Sequence, residues 1–154
     1  MADYHPGLEG VIATESSISD INGEKGILSY RGYSIEELAE KSTFEETAFL
    51  LLTGELPTPD ELTKFTKQIN VRRDLPSGMI DLLKALPKES NPMDVIQLAV
   101  SSLGTFYPVT FDAEDLKAKK YTKDYYIEVS AGILGSIGSI VAAWNRIKNN
   151  KDYI

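Results

Sequence analysis

The sequence predicts a mainly α-helical protein, a multi-helical segment carrying a small β-hairpin sheet at its N-terminus. Two observations support this. From Ser34 onward, hydroxyl-x-x-glutamate starts and proline or glycine stops recur at helical intervals. Before that point, residues 1–33 hold the only short alternating segments, and they contain an Asn-Gly turn signal.

Val11–Ile18 and Ile27–Tyr30 read as strands, joined through Asn22-Gly23 with Gly26 close by. Asn-Gly is a strong hairpin signal because both residues tolerate positive φ. Two or three such strands are marginally stable alone, so the sheet is expected to lean on helices. Ser34-x-x-Glu37, Thr43-x-x-Glu46 and Thr58-x-x-Glu61 are capping boxes. In each, the hydroxyl accepts from an orphan backbone N–H and the glutamate reaches back to the cap. Pro59 follows the third cap, where its missing N–H costs nothing. Asn91-Pro92-Met93-Asp94 repeats the pattern with an asparagine cap, and Gly54, Pro57, Pro76, Pro87 and Pro108 supply stops. The predicted helices are 35–42, 44–53, 59–70, 77–86, 92–106, 113–120 and 124–149. They take well over half of the chain, against roughly one-third in an average globular protein.

Phe44, Ala48, Leu51 and Leu52 cover one face of 44–53, and Phe49 and Leu50 part of the other, which predicts a helix buried nearly all round. Leu62, Phe65 and Ile69 form a single stripe, as on a helix packed along one side. In 124–149, Ile133, Ile137, Ile140, Val141 and Trp144 recur at helical spacing, while Gly132, Gly135, Ser136, Gly138, Ser139 and Ala142 keep other faces thin. An interior glycine costs about 0.5–1 kcal/mol relative to alanine, so a closely approaching neighbour helix is expected to compensate. A face bearing Ile133, Ile137, Ile140 and Trp144 is expected to be incompletely covered and to drive self-association, with Gly135 at the contact.

A length of 154 residues suits one domain or part of a larger one. A chain of this size can bury roughly 68–70% of its unfolded surface. With 42% apolar and 25% charged residues it falls within the ordinary globular range, with no internal repeat, low-complexity tract or obvious interdomain linker. The absence of cysteine excludes disulfides, thiolate nucleophiles and cysteine-ligated metals. The single histidine, His5, excludes a two-histidine centre built from this chain alone. A net charge of −7 and a pI near 4.8 argue against nucleic-acid binding. Residues 1–10 lack a basic segment followed by an apolar run, so secretion is not expected. The uncharged stretch Val129–Asn145 carries serines, glycines and an asparagine, and reads as a buried helix rather than a membrane span. A cytoplasmic location is the expectation.

Few residues point to chemistry. His5, beside Pro6 near the terminus, reads as a surface residue, and no motif supports a Ser-His-Asp arrangement. Gly132-x-x-Gly135-x-x-Gly138 is not the dinucleotide fingerprint, and neither a P-loop nor a calcium loop occurs. Glu36-Glu37, Glu45-Glu46 and Asp60-Glu61 sit in first helical turns, where they complement the dipole; a general acid–base pair among them is the alternative. Lys117, Lys119, Lys120 and Lys123, with Tyr121, form the only basic run, and Asp112, Glu114, Asp115 and Asp124 surround it. That pattern suits a solvated face; the alternative is phosphate binding by a nucleotide-bearing cofactor. Tyr30-Arg31-Gly32-Tyr33 sets a cation between aromatics where sheet gives way to helix. A buried arginine fork satisfying carbonyls is expected there, with ligand contact as the alternative. No catalytic, cofactor-binding or metal-ligating residue is assigned.

The order of the motifs adds a resemblance. Gly7-Leu8-Glu9-Gly10-Val11, Ser17-Ile18-Ser19, Gly23-Glu24-Lys25-Gly26 and Leu28-Ser29-Tyr30-Arg31-Gly32-Tyr33 come first. Thr47-Ala48-Phe49-Leu50-Leu51-Leu52-Thr53-Gly54-Glu55-Leu56-Pro57-Thr58, Asn91-Pro92-Met93-Asp94 and Leu103-Gly104 follow. Together, over almost the whole chain, they resemble the N-terminal portion of the citrate synthase family, which includes the 2-methylcitrate synthases. Asn91 stands where many members have histidine.

The resemblance implies part of the family's large helical domain, with 1–33 as its hairpin region and 34–154 helical. It implies condensation of acetyl-CoA with oxaloacetate to citrate and CoA, or of propionyl-CoA in a 2-methylcitrate synthase. It further implies a homodimer or other homo-oligomer, no cofactor apart from the CoA substrate, and no nucleic-acid or membrane partner. In the family one histidine holds the thioester enol, another polarises the ketone, and an aspartate abstracts the methyl proton. These three lie in motifs downstream of the region matched here, so none is carried over to a position in this sequence. The chain alone is therefore expected to be inactive, whether a fragment or a natural truncation; a non-catalytic helical interaction module derived from the family is the alternative.

Overall fold

Side-chain caps decide where most helices of this chain begin. The computed structural model describes residues 6–8, 10–12, 14–107 and 122–153. Its α-helices are α1 (Ile35–Lys41), α2 (Phe44–Thr53), α3 (Pro59–Val71), α4 (Ser77–Ala85), α5 (Pro92–Phe106) and α6 (Lys123–Lys148). Each end falls within one residue of its predicted position. The predicted helix 113–120 lies outside the described residues. Thr43 and Thr58 make complete capping boxes with Glu46 and Glu61. Asn91 Oδ1 accepts from the Met93 N–H at 2.9 Å, and Thr122 caps α6. The box at Ser34 is one-sided: its hydroxyl accepts from Glu37 N–H, but the Glu37 carboxylate turns to Lys41 at 3.2 Å.

The strands are β1 (Ser19–Asn22), β2 (Ile27–Tyr30) and β3 (Tyr33–Ser34), in antiparallel order β1-β2-β3. Ser19 pairs with Tyr30, Asn22 with Ile27, and Tyr30 with Tyr33. Two sequence expectations are corrected here. No strand forms over Val11–Ile18 among the described residues; pairing begins only at Ser19. Two hydroxyls of that segment, those of Thr14 and Ser16, bind nearby backbone instead. Ile18 N–H donates to Ser16 Oγ at 3.3 Å, and Thr14 Oγ1 donates to Glu15 O at 3.3 Å. The second correction is the position of the tight turn. Arg31 (φ 50°) and Gly32 (φ 89°) carry the paired positive φ values, linking β2 to β3. The β1–β2 connection spans 23–26 with only Gly26 left-handed, and Asn22 Oδ1 braces it by accepting from Lys25 N–H at 3.0 Å.

The chain divides into two compact units, one ending at Leu56 and the other beginning at Pro57. In the first, α1 packs beside β2 and β3 and buries Leu38. Helix α2 buries Phe49 and Leu50, but Phe44 and Leu52 are 63% and 37% exposed. The expectation of a helix covered all round therefore fails at its first and last turns.

In the second unit, α4 and α5 pack on each other and on α6 around Met79, Leu83, Val95, Ala99, Leu103, Ile140 and Trp144. Gly78 brings the first turn of α4 against the last of α5, since an added Cβ would lie 2.7 Å from the Phe106 ring. Helix α3 packs on α6, burying Phe65 and Ile69 as the stripe predicted. At Gly135 the backbones all but touch: a Cβ there would lie 2.2 Å from Ile69 O and 2.9 Å from Arg72 Cβ. Fully buried Ser136 donates to Arg72 O at 3.2 Å beside it.

The glycine pattern thus marks a close helix approach, and the partner is α3 of the same chain. Gly135 consequently belongs to the internal packing, not to a contact between copies. The apolar stripe of α6 divides along its length. Ile140 and Trp144 are buried by α4 and α5, whereas Ile133 and Ile137, two turns earlier, are 38% and 39% exposed. Periodicity fixes the direction in which a side chain points, but not which neighbour reaches that level of the helix.

Gly135→Ala is expected to destabilise the protein by about 1–3 kcal/mol, because the methyl meets a backbone carbonyl that cannot rotate away. Gly138→Ala meets nothing within 4 Å and should stabilise it by about 0.5–1 kcal/mol. Urea denaturation of the two variants checks the contrast.

Candidate functional site

Arg31 is the most structured cation that the sequence singles out. The Arg31-Gly32 turn carries its side chain toward the end of α2, where the last carbonyls lack helical partners. Nη2 donates to Leu51 O at 2.9 Å, and Nη1 donates to Ser17 Oγ at 2.8 Å. The positive charge also favours the negative end of the helix dipole. The fork that the sequence predicts is present, but it is half-buried rather than buried, and it holds one carbonyl and one hydroxyl. Arg31 Nε is buried with no hydrogen-bond partner, as is Trp144 Nε1 in the second unit.

Of the acidic pairs, Glu46 and Glu61 behave as caps, while Glu37 pairs with Lys41. Glu46 is held below the usual carboxylate range, first by the Thr43 backbone N–H and then by the Thr43 hydroxyl. Glu61 is lowered by the same two groups of Thr58, with a smaller contribution from Lys123. A general acid near neutral pH needs a shift in the opposite direction, so these glutamates are built to stay charged. Among the described residues, no three side chains of histidine, cysteine, aspartate or glutamate come together.

The remaining sequence candidates are dispersed. His5 and the run Lys117, Lys119, Lys120 and Tyr121 lie outside the described residues; Lys123 opens α6. Asn91 serves as the cap of α5. The sequence reading did not foresee Arg72. It stacks over the Tyr107 ring at 3.8 Å and lies where a Cβ on Gly132 or Gly135 would meet it, so it joins α3, the end of α5 and α6. Gly135-Ser136 was the available signal, but it marks the groove without naming the residue that enters it. A shallow groove of about 270 Å³ beside it is lined by Lys64, Lys67, Gln68, Val71, Arg72 and Glu128.

Helix α6 is long and apolar enough to cross a membrane by length and composition. Here it buries Ala131, Gly135, Ser136, Ile140, Ala143 and Trp144 within its unit. It leaves Tyr126, Ile133, Ile137 and Val141 exposed, so it is only partly the buried helix expected.

Among the described residues these parts assemble no catalytic constellation. The family profile described as citrate synthase, C-terminal domain, matches residues 7–154. A citrate synthase of Acidithiobacillus ferridurans is 39% identical over 153 residues, which is 99% of this chain and 39% of that protein. This chain belongs to the citrate synthase family. Within the family, 2-methylcitrate synthase 2 of Corynebacterium glutamicum is 46% identical over 103 residues, covering 67% of this chain and 27% of that protein. Among solved structures, a ternary complex of carboxymethyl coenzyme A and oxaloacetate with the citrate synthase of Thermoplasma acidophilum superposes with a TM-score of 0.83 at 29% identity. It covers 99% of this chain and 38% of that one. The chain thus spans about two-fifths of the length of the Acidithiobacillus and Thermoplasma proteins.

Arg31→Ala should lower stability by about 1–3 kcal/mol, through the lost bonds to Leu51 O and Ser17 Oγ. Thermal denaturation checks this; a variant with unchanged melting temperature would move Arg31 from structure to ligand contact.

Proposed function

We propose that this chain forms the N-terminal helical part of an enzyme that condenses acetyl-CoA with oxaloacetate, giving citrate and CoA. The supporting observation is whole-chain similarity to citrate synthases combined with partial coverage of their length. In this reading the two histidines and the aspartate of the reaction belong to the part of the relatives that these 154 residues do not span. His5 is the chain's only histidine, so the chain cannot both hold an enol and polarise a ketone with imidazoles. Its helices serve as a scaffold. Propionyl-CoA in place of acetyl-CoA is the second reading, favoured by the identity to a 2-methylcitrate synthase. The enzyme is placed in the cytoplasm as a homo-oligomer. The exposed face of α6, with Tyr126, Ile133, Ile137 and Val141, is the surface proposed for self-association.

The isolated chain should release no CoA from acetyl-CoA or propionyl-CoA with oxaloacetate above a vector-only background. Turnover that survives His5→Ala would overturn this assignment. Sedimentation equilibrium over a hundredfold concentration range should show association that weakens in Ile137→Lys. A 17.0 kDa monomer throughout would show that the α6 face closes on nothing.

A further inference from the structure

We propose that Asn22 is a site of spontaneous covalent modification, where ring closure onto Gly23 deamidates the side chain and leaves aspartate or isoaspartate in the β1–β2 connection. Asn22-Gly23 is the single Asn-Gly pair in the sequence; the other asparagines precede Val71, Pro92, Arg146, Asn150 and Lys151. The reaction needs the backbone nitrogen of the following residue to reach Asn Cγ, and a side chain on that residue obstructs it.

The structure supplies three further conditions. Asn22 is exposed at the end of β1, and an added Cβ on Gly23 would meet nothing within 4 Å, so base and water reach the site. Neither residue is locked in the left-handed conformation that a tight Asn-Gly turn imposes. Asn22 Oδ1 accepts from Lys25 N–H at 3.0 Å, which draws electron density from Cγ and leaves Nδ2 as the leaving group. Asn149, by contrast, donates through Nδ2 to Asn145 O at 2.7 Å.

The step balances without an oxidant or cofactor. Solvent base removes the Gly23 amide proton, and the nitrogen bonds to Asn22 Cγ. The Cγ–Nδ2 bond breaks, and Nδ2 leaves as ammonia after taking up a proton. Water then opens the cyclic imide at either carbonyl, so the net change is asparagine plus water to acid plus ammonia. The aspartate product adds one negative charge. The isoaspartate product routes the main chain through Cβ and disrupts the Asn22–Ile27 pairing.

The test is incubation of the full chain in mildly alkaline buffer, followed by mass mapping of the tryptic peptide ending at Lys25, which contains no other asparagine. Isoaspartate is scored by methyl transfer from labelled S-adenosylmethionine with an isoaspartyl methyltransferase. The amide-to-acid mass change should arise first at Asn22, at a rate within about tenfold of the urea-unfolded chain. It should vanish in Asn22→Gln and slow in Gly23→Ala, whose methyl fits the open space without disturbing the fold. Protection of the folded chain beyond about tenfold, earlier conversion at another asparagine, or an unchanged rate in Gly23→Ala would overturn the proposal.

Discussion

The second unit depends on the close approach of two helices at a position with no side chain. Gly135 lets the end of α3 approach α6 until Ile69 O occupies the space a Cβ would need, and Ser136 then bonds Arg72 O. With α3 ended there, the Arg72 side chain lies over Tyr107 and so reaches the end of α5. Helix α5 is in turn packed on α4 and α6. A methyl group on residue 135 would push apart the crossing of α3 and α6. Because cores transmit strain rather than absorb it, an error at this position is felt throughout the unit.

The first unit is governed by backbone conformation and end-capping. Its tight turn places a non-glycine residue, Arg31, at positive φ, a conformation that persists only when surroundings enforce it. Three contacts surround it: the Arg31 N–H donates to Ile18 O at 2.9 Å, and the guanidinium makes two bonds, one of them to a carbonyl at the end of α2. The strained residue and the unsatisfied helix end stabilise each other.

Helix positions were legible in the sequence because caps are local chemistry: a threonine, a glutamate three residues on and a proline define a start wherever they fall. The hairpin was less legible. Ser16 and Thr14 spend their hydroxyls on nearby backbone, which alternation of apolar residues does not reveal. Arg31-Gly32 forms the tight turn although Asn22-Gly23 carries the stronger statistical signal, and both the backbone N–H and the guanidinium of Arg31 are tied to distant partners there. On α6 the sequence showed that Gly135 needed a neighbour, yet Ile133 and Ile140 look alike until α4 and α5 are placed. At the candidate site, Arg31 and the capping role of the glutamates could be read from the residues. The partners Ser17 and Leu51, and the stacking of Arg72 on Tyr107, depend on chain crossings that no local pattern encodes.

The Ser136–Arg72 bond joins residues 64 positions apart. On a ribosome that adds roughly 5–20 residues each second, α3 is complete several seconds before the groove that receives it has been synthesised. During that interval Phe65 and Ile69 have no α6 to cover them, and the second unit cannot close. The crossing therefore also carries a delay in biosynthesis, set by the sequence separation of its two helices.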